Sequence, residues 1–118
     1  MAEWLFDKYG SACLILDGAC VRDTKGAVVG WISGTNAYLL HGQHVGWFEG
    51  GVLSDHSNGA LAFRKERTGF LPSTPRVIAQ SPALPALPAA PKPPGFATAP
   101  SKPGRSDWSM HEASEYFG

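Results

Sequence analysis

Two cysteines and two histidines are the residues of this sequence best suited to bind a metal ion. Cys13 and Cys20 flank one predicted hairpin, and His41 and His44 lie three residues apart on another. Thiolate and imidazole are the usual ligands of zinc, but neither pair has the spacing of a known zinc motif. We therefore expect no metal and no cofactor, and we expect the two cysteines to stay unlinked in a reducing compartment.

No set of residues has the spacing of a catalytic site. Glu49, Asp55 and His56 fall in predicted turns. No glycine-rich phosphate loop precedes a helix, no serine lies in a nucleophile elbow, and no carboxylate pair is placed by a rigid spacing. We therefore expect that the protein is not an enzyme.

Aromatic residues are the remaining candidates for a binding site. Trp31, Trp47 and Phe48, with His44 nearby, recur in a pattern that would place aromatic rings around one rim. Such rings can stack on a ligand or anchor a peptide. The alternative is that the two tryptophans form the hydrophobic core of a small domain. The sequence leaves both interpretations open.

A repeat of about 16 residues must position these side chains. Turn glycines at positions 10, 26, 42 and 59 are spaced 16, 16 and 17 apart, so the fourth turn is expected to hold one extra residue. Each repeat matches a β-hairpin whose type I turn ends in glycine and is followed by a second strand. Asp7 and Asp23 can accept hydrogen bonds from amides of their own turns.

The repeats predict eight short antiparallel strands, near 4–7, 11–16, 19–23, 27–32, 35–39, 43–48, 51–55 and 60–65. Both faces of the second strand of each repeat are partly apolar, which favours a closed barrel over an open sheet. A small apolar residue follows each turn glycine by three positions, and these residues should be buried together: Cys13, Val29, Val45 and Ala62. Two positions later the same face carries Ile15, Trp31, Trp47 and Arg64. Gly30 and Gly46 are expected at bulges or close backbone approaches.

The stretch from Gly42 to Gly50 follows the pattern G-x-x-V-G-W-φ-x-G. This pattern resembles the four-fold β-flower family over residues 3–70, and the proline-rich tail with its aromatic end is also similar to family members. The resemblance implies a small, shallow β-barrel of four hairpin repeats with pseudo-fourfold symmetry, without an established enzymatic activity. The first repeat (Leu14-Ile15) and the last (Phe63-Arg64) depart from the Gly-Trp pattern.

Composition divides the chain into a barrel domain at 1–71, a linker at 72–107 and a terminal motif at 108–118. All 10 prolines lie at or after Pro72, which predicts a disordered linker with polyproline II character. Ser109 and Glu112 have the spacing of a capping box for a short helix. The motif is expected to dock near Trp47 and Phe48 through its large side chains: Trp108, Met110, Tyr116 and Phe117.

The net charge is zero, so no basic surface indicates nucleic acid or an anionic membrane as the partner. The longest apolar runs are too short to span a bilayer, and we expect a cytoplasmic protein. We predict an interaction module whose partner is its own tail or another protein, with a homo-oligomer as one form. The alternative is a barrel that binds a small molecule or lipid at an aromatic mouth.

Overall fold

A closed barrel of eight strands, followed by one short helix, positions every candidate residue. The computed structural model describes residues 2–67, 82–104 and 107–117, without the side chain of residue 114. The elements are β1 (Ala2–Phe6), β2 (Ala12–Asp17), β3 (Cys20–Arg22), β4 (Val28–Ser33), β5 (Asn36–Leu39), β6 (His44–Glu49), β7 (Val52–Ser54), β8 (Ala60–Arg64) and α1 (Ala113–Phe117). Each strand pairs antiparallel with its sequence neighbours, and β8 pairs with β1 to close the ring. The predicted antiparallel barrel is confirmed.

Four hairpins, which we call petals one to four, are formed by β1–β2, β3–β4, β5–β6 and β7–β8. In each turn the amide of the fourth residue donates to the carbonyl of the first, from Gly10 to Asp7, Gly26 to Asp23, Gly42 to Leu39 and Asn58 to Asp55. Asn58 has a φ of 59° and so takes the place of the turn glycine. The predicted extra residue in the fourth turn is therefore wrong. Asparagine tolerates the left-handed conformation, and the repeat keeps its 16-residue spacing.

The turn aspartates make the predicted hydrogen bonds. Asp7 Oδ1 accepts from the amides of Tyr9 and Ser11 at 2.9 and 3.0 Å. Asp23 and Asp55 repeat this arrangement in petals two and four. In petal three Leu39 occupies the same position, so this turn is closed by main-chain hydrogen bonds.

One β-bulge in each petal decides which side chains face the interior. The residues inserted by the bulges are Cys13, Val29, Val45 and Leu61. A bulge residue and its successor oppose a single partner and therefore point to the same side. Cys13 and Leu14 accordingly both belong to the interior cluster. The prediction that Cys13 shares a face with Ile15 is wrong, because the bulge resets the strand's alternation.

The core is built from residues that recur at the 16-residue interval. The ring at its centre has no solvent exposure and consists of Leu5, Val21, Ala37 and Leu53. Of the four small residues predicted to be buried together, Cys13, Val45 and Ala62 are buried and Val29 is half-buried against the same cluster. The corrected spacing makes Leu61 the fourth bulge residue. It also makes Phe63, and not Arg64, the counterpart of Trp31 and Trp47.

Gly30 and Gly46 lie where the neighbouring strand's backbone comes close, as predicted. A Cβ on Gly30 would lie 2.6 Å from the carbonyl O of Tyr38, and a Cβ on Gly46 would collide with the carbonyl O of Ser54. Any larger residue at these positions would push two paired strands apart.

The ring closes at a short seam between β1 and β8. Among the described residues, the seam has two residue pairs, Leu5 with Arg64 and Phe6 with Phe63. Arg64 Nε donates to Glu3 Oε1 at 2.9 Å across it. A second apolar cluster covers the outside of the seam, with the rings of Phe6 and Phe63 6.0 Å apart.

The tail predicted to be a disordered linker is described in residues 82–104, whereas its residues 72–81 and 105–106 lie outside the described part. Residues 82–104 contain no helix or strand, and several of them contact the barrel. Their disorder stays a prediction. Within the described ranges, no helix has the length and apolar character needed to cross a bilayer.

Candidate interaction site

The C-terminal residues 107–117, which we call the terminal segment, bind to petal four. The amide of Ala60 donates to the carbonyl O of Asp107 at 3.2 Å, and the amide of Ser109 donates to the carbonyl O of Ala60 at 2.8 Å. These two bonds pair Trp108 in parallel with Ala60 at the start of β8. The terminal segment thereby extends the sheet by one short bridge, in the manner of peptides that add to a strand edge.

A buried serine and aspartate fix the position of this bridge. Ser109 Oγ donates to Asp55 Oδ2 at 2.5 Å, and both residues are 4% exposed. Ser109 Oγ also accepts from the amide of His111 at 3.0 Å. The predicted capping box is therefore wrong, since α1 begins only at Ala113 and Ser109 bonds to the barrel instead.

The short helix places an aromatic ring inside the barrel. Ala113 and Phe117, one helical turn apart, are buried in the interior cluster. The Phe117 ring lies 2.8 Å from the point where a Cβ on Gly30 would be, so the absence of a side chain at Gly30 makes room for it. Without this ring, that part of the interior would lose its packing partner.

Tyr116 joins the helix to petals three and four. Its hydroxyl donates to the carbonyl O of Val45 at 2.5 Å and accepts from the amide of His56 at 3.2 Å. Burial raises the pKa of the Tyr116 phenol, so the hydroxyl stays protonated and able to donate.

The structure differs from the predicted docking mode in two respects. Met110 is 88% exposed and does not take part in the buried contact. The terminal segment bonds to Asp55 and Ala60 and enters the interior cluster, against which Phe48 also packs, so its site lies at petal four and the interior rather than on the surface around Trp47. Trp108 lies over the seam, with its ring 6.1 Å from that of Phe63.

Two histidines lie beside the terminal segment. His56 Nε2 is 2.7 Å from the carbonyl O of His44, and His44 Nε2 is 3.2 Å from Asn36 Oδ1, so both Nε2 atoms act as donors. Among the described residues, His44 Nδ1 has no hydrogen-bond partner. Burial lowers the pKa of His44, and the neighbouring His56 lowers it further. Both effects therefore favour the neutral form of His44.

The four residues predicted to form a binding mouth do not line a common opening. Trp31 and Trp47 are 3% and 4% exposed, as expected of packing residues. Trp31 faces outward beside Tyr38, and its Nε1 donates to the carbonyl O of Leu40 at 2.9 Å. The Trp47 ring packs against the ring of His44, with the ring centres 5.1 Å apart. Phe48 packs against the interior cluster from the inner face of the barrel.

Phe48 also lines a cleft of about 790 Å³ near the hairpin turns at residues 34–35 and 49–51. The other wall carries Arg64, Lys65 and Arg67. The Arg67 guanidinium lies 4.5 Å from the centre of the Phe63 ring. Glu49 and Glu66 line the cleft as well, so it combines one apolar side chain with charged groups of both signs.

The cysteines are separate free thiols. Cys13 Sγ donates to the carbonyl O of Leu5 at 3.5 Å, and burial raises the pKa of this thiol to about 12. Burial also raises the pKa of Cys20. Neither thiol is activated as a nucleophile by its surroundings. In the described ranges, no three His, Cys, Asp or Glu residues lie close enough together to hold a metal ion.

Sequence reasoning missed the residues of petal four that receive the terminal segment. Asp55 was assigned to its turn, and only the fold shows that its second carboxylate oxygen meets Ser109. Gly59 and Ala60 are small, and a Cβ on Gly59 would lie 3.1 Å from Ser109 Cα. A strict 16-residue alignment would have supplied the signal, because it places these two residues opposite Gln43 and His44 of petal three.

Comparison with known families extends the relationship beyond the barrel. The model of the 4-fold beta flower protein family matches residues 3–117, which include the terminal segment as well as the petals. Searches of curated proteins and of solved structures find no match. With a match over nearly its whole length and a closed ring of four hairpins, the chain belongs to the 4-fold beta flower family.

Proposed function

We propose that this protein is a non-enzymatic interaction module in which the barrel is a receptor for a short aromatic peptide segment. The observation that carries the proposal is the burial of Phe117 in the barrel interior at 5% exposure, although it belongs to a helix of only five residues. The terminal segment fills this receptor in the free protein. The partner is another protein, or a second copy, that either supplies an equivalent segment or binds the terminal segment when it is released.

The contacts of the terminal segment support an exchangeable ligand. A five-residue helix is too short to persist alone, so α1 is ordered only while Phe117 and Ala113 are packed. Its main-chain bonds to the barrel are the two at Ala60. Side-chain bonds of Ser109 and Tyr116 and the buried Phe117 ring add to them. Because these contacts belong to a short segment outside the strand pairings of the ring, the segment can open locally at a fraction of the global unfolding free energy.

Tethering makes such an exchange tunable. The terminal segment is attached to the barrel by the intervening chain, so its effective concentration reaches the millimolar range. Even a weak contact between the terminal segment and its own barrel is then formed most of the time. A partner that has a higher local concentration or a higher affinity can nevertheless displace the segment. We expect the receptor to select an aromatic residue for the Gly30 notch and a hydroxyl for Asp55.

The proposal is tested with a fluorescent peptide of residues 106–118 added to the full-length protein. Phe117→Ala empties the aromatic notch, and we expect the peptide to bind this variant about tenfold more tightly than the wild type. Met110→Ala is the matched control because Met110 is exposed, and it should behave as the wild type. Ser109→Ala provides a second way to weaken the internal contact if Phe117→Ala unfolds the barrel. Equal, negligible binding to all proteins would overturn the proposal.

A second candidate function is binding of a small molecule or lipid, which the cleft beside Phe48 favours. Phe48 would suit the apolar body of such a ligand, and the charged side chains of both signs would suit polar groups on it. The burial of Trp31 and Trp47 argues against the aromatic mouth as the place of binding. Native mass spectrometry of the purified full-length chain tests this candidate. A co-purifying compound that is lost in Phe48→Ala would support it, and the mass of the bare chain alone would count against it.

A further inference from the structure

The proline-rich residues 82–104, which we call the strap, pass the turns of petals two, three and four in chain order. Each of these turns meets one proline or the residue after it. Gly26 lies against Pro85 and Ala86, Gly42 lies against Pro94 and Gly95, and Asn58 Nδ2 donates to the carbonyl O of Pro103 at 3.1 Å.

The contacting residues have matching intervals. Pro85, Pro94 and Pro103 are nine residues apart, while the turns that they meet are 16 residues apart. One petal of the barrel therefore corresponds to nine residues of the strap. The sequence contains two periods of different length, and the contacts join them one to one.

The same geometry recurs at petals two and three. In both, the carbonyl O of the residue after proline occupies the place where a Cβ on the turn glycine would be, and the proline Cγ lies 3.5 Å from that point. The glycine Cα–H points there instead, which forms the weak Cα–H···O contact known from sheets and helix interfaces. The turn glycine thus has two roles: it adopts the positive φ that the turn requires, and its missing side chain leaves room for the strap's carbonyl.

In petal four the contact with the strap differs because the turn residue is Asn58 rather than glycine. Asn58 has a Cβ, so a carbonyl cannot enter the same notch. Its side-chain amide reaches the carbonyl of Pro103 itself, one residue earlier in the strap's repeat. The contact is kept, but a conventional hydrogen bond replaces the Cα–H contact.

Further contacts fix the strap between the notches. Phe96 stacks on Tyr38 with ring centres 4.3 Å apart, and the amide of Ala97 donates to the carbonyl O of Gly42 at 3.0 Å. At the strap's start, Trp4 Nε1 donates to the carbonyl O of Pro82 at 2.8 Å. Near its end, Lys102 pairs with Glu49 at 2.5 Å.

The reach of nine residues agrees with the size of the molecule. Its extents of 37 × 36 × 22 Å describe a disc, as expected for four petals around a short axis. Nine residues of polyproline II extend about 28 Å, which is shorter than the 36 and 37 Å widths of the molecule. A strap of extended character can therefore step from one petal to the next within these dimensions.

We propose that the turn glycines form a repeated binding surface for an extended proline-rich peptide with one contact every nine residues, and that the strap of the same chain occupies it. The chemical signature of the ligand is a proline followed by a small residue whose carbonyl faces the glycine. This proposal concerns residues 82–104 and does not depend on the exchange of the terminal segment.

The first test removes one hydrogen bond of the strap. In full-length protein, the Ala97 amide should exchange with solvent at least about tenfold more slowly than in a free peptide of residues 82–104, and NMR should show contacts between the Phe96 and Tyr38 rings. Ala97→Pro should abolish the ring contacts. Ala90→Pro, at an exposed strap position, should preserve them.

The second test changes the register. Deleting residues 89 and 90 leaves seven residues between the contacts at Gly26 and Gly42 and shortens the reach of that stretch from about 28 Å to about 22 Å, so we expect one of the two contacts to be lost. Either the Ala97 amide should then exchange at the free-peptide rate, or the Gly26 amide resonance should shift as Pro85 and Ala86 leave it. Neither change occurring would contradict the nine-residue register. The double substitution Ala89→Ser with Ala90→Ser keeps the length and should keep the protection.

Two results would overturn the proposal. An Ala97 amide that exchanges at the free-peptide rate in the wild type would show that the strap is not bound. Protection that rises with protein concentration would assign the strap to a neighbouring copy rather than to the same chain. The environment of Phe117 is read separately in the same spectra, so failure of the strap and failure of the terminal-segment receptor are distinguishable.

Discussion

Petals three and four share one backbone plan but differ where the terminal segment binds. After the turn, petal three continues with Gln43 and His44, whereas petal four continues with Gly59 and Ala60. The two small residues leave the backbone of β8 accessible, and the Asp107 carbonyl and the Ser109 amide bond to Ala60 there. The comparison teaches that the repeat builds the barrel and that departure from the repeat creates the candidate site.

The largest effect is expected at the central ring, where petal three has Ala37 and petal four has Leu53. Both residues have zero exposure, so the cavity left by Leu53→Ala has no solvent to fill it. The free energy of unfolding should fall by about 2–5 kcal/mol, even though the change copies petal three. Urea unfolding measures this effect, with Leu40→Ala, at an exposed position, as the control. A loss below about 1 kcal/mol would mean that the petals are interchangeable at this ring.

The second effect comes from giving petal four the residue of petal three. Gly59→Gln places a side chain against Ser109 Cα, and Gly59 lacks the positive φ that would strain its own backbone. We expect release of the terminal segment, a loss of roughly 1–3 kcal/mol and a shift of Trp108 fluorescence towards that of exposed tryptophan. Gln43→Ala at the equivalent, exposed position is the control. Unchanged fluorescence in Gly59→Gln would contradict the conclusion that the absence of a side chain at Gly59 makes room for the terminal segment.

A smaller effect is expected at the fourth turn. Asn58→Ala should cost about 1–2 kcal/mol because alanine is disfavoured at a φ of 59°. Asn58→Gly restores the residue of the other petals and should cost less than Asn58→Ala. Both variants lose the hydrogen bond to Pro103, so the difference between their melting temperatures reports only the cost of placing alanine rather than glycine at this φ. Equal losses would show that the side-chain amide, rather than the φ, is what matters.

The smallest effect is a dependence of stability on pH, which arises from His44 of petal three and has no counterpart at Val28 of petal two. His44 has a pKa lowered from its ordinary 6.5 by burial and by His56, so below pH 6.5 the unfolded chain binds a proton that the folded chain resists. Stability should therefore decline as the pH falls through 6.5 and level off below the folded pKa. His44→Val, which copies Val28 of petal two, should reduce this slope in urea titrations at pH 5 and 7.5. The exposed His41→Gln should not, and an unchanged slope in His44→Val would place the titrating group elsewhere.

The barrel was predictable because its signals are local. Turn aspartates and glycines and apolar alternation predicted all eight strands to within two residues of their observed bounds. The faces were not predictable in full, because a bulge reverses the alternation without leaving a mark in the hydrophobic pattern. Cys13 and Ile15 were placed together for this reason. Similarly, the sequence predicts Gly59 as the turn glycine because asparagine at a positive φ is rarer than glycine.

The candidate site was less accessible to sequence reasoning. The aromatic character of Trp108, Tyr116 and Phe117 indicates that the terminal segment binds a surface, but their target depends on contacts 45 residues or more away in the chain. Ser109 could cap a helix or bond to Asp55, and only the position of petal four decides between these uses. Local patterns predict hairpins well, whereas long-range partners require the closed fold.

The seam between β1 and β8 has a consequence for the order of folding. Every other strand pairing joins sequence neighbours and closes a short loop, but the seam joins two residue pairs that are 59 and 57 positions apart. Closing a loop of that length costs on the order of 4 kcal/mol in chain entropy. We therefore expect the petals to form early and the ring to close late. Trp108 rests on Phe63 at this seam, so the surface that receives it is assembled only once the first and last strands have met.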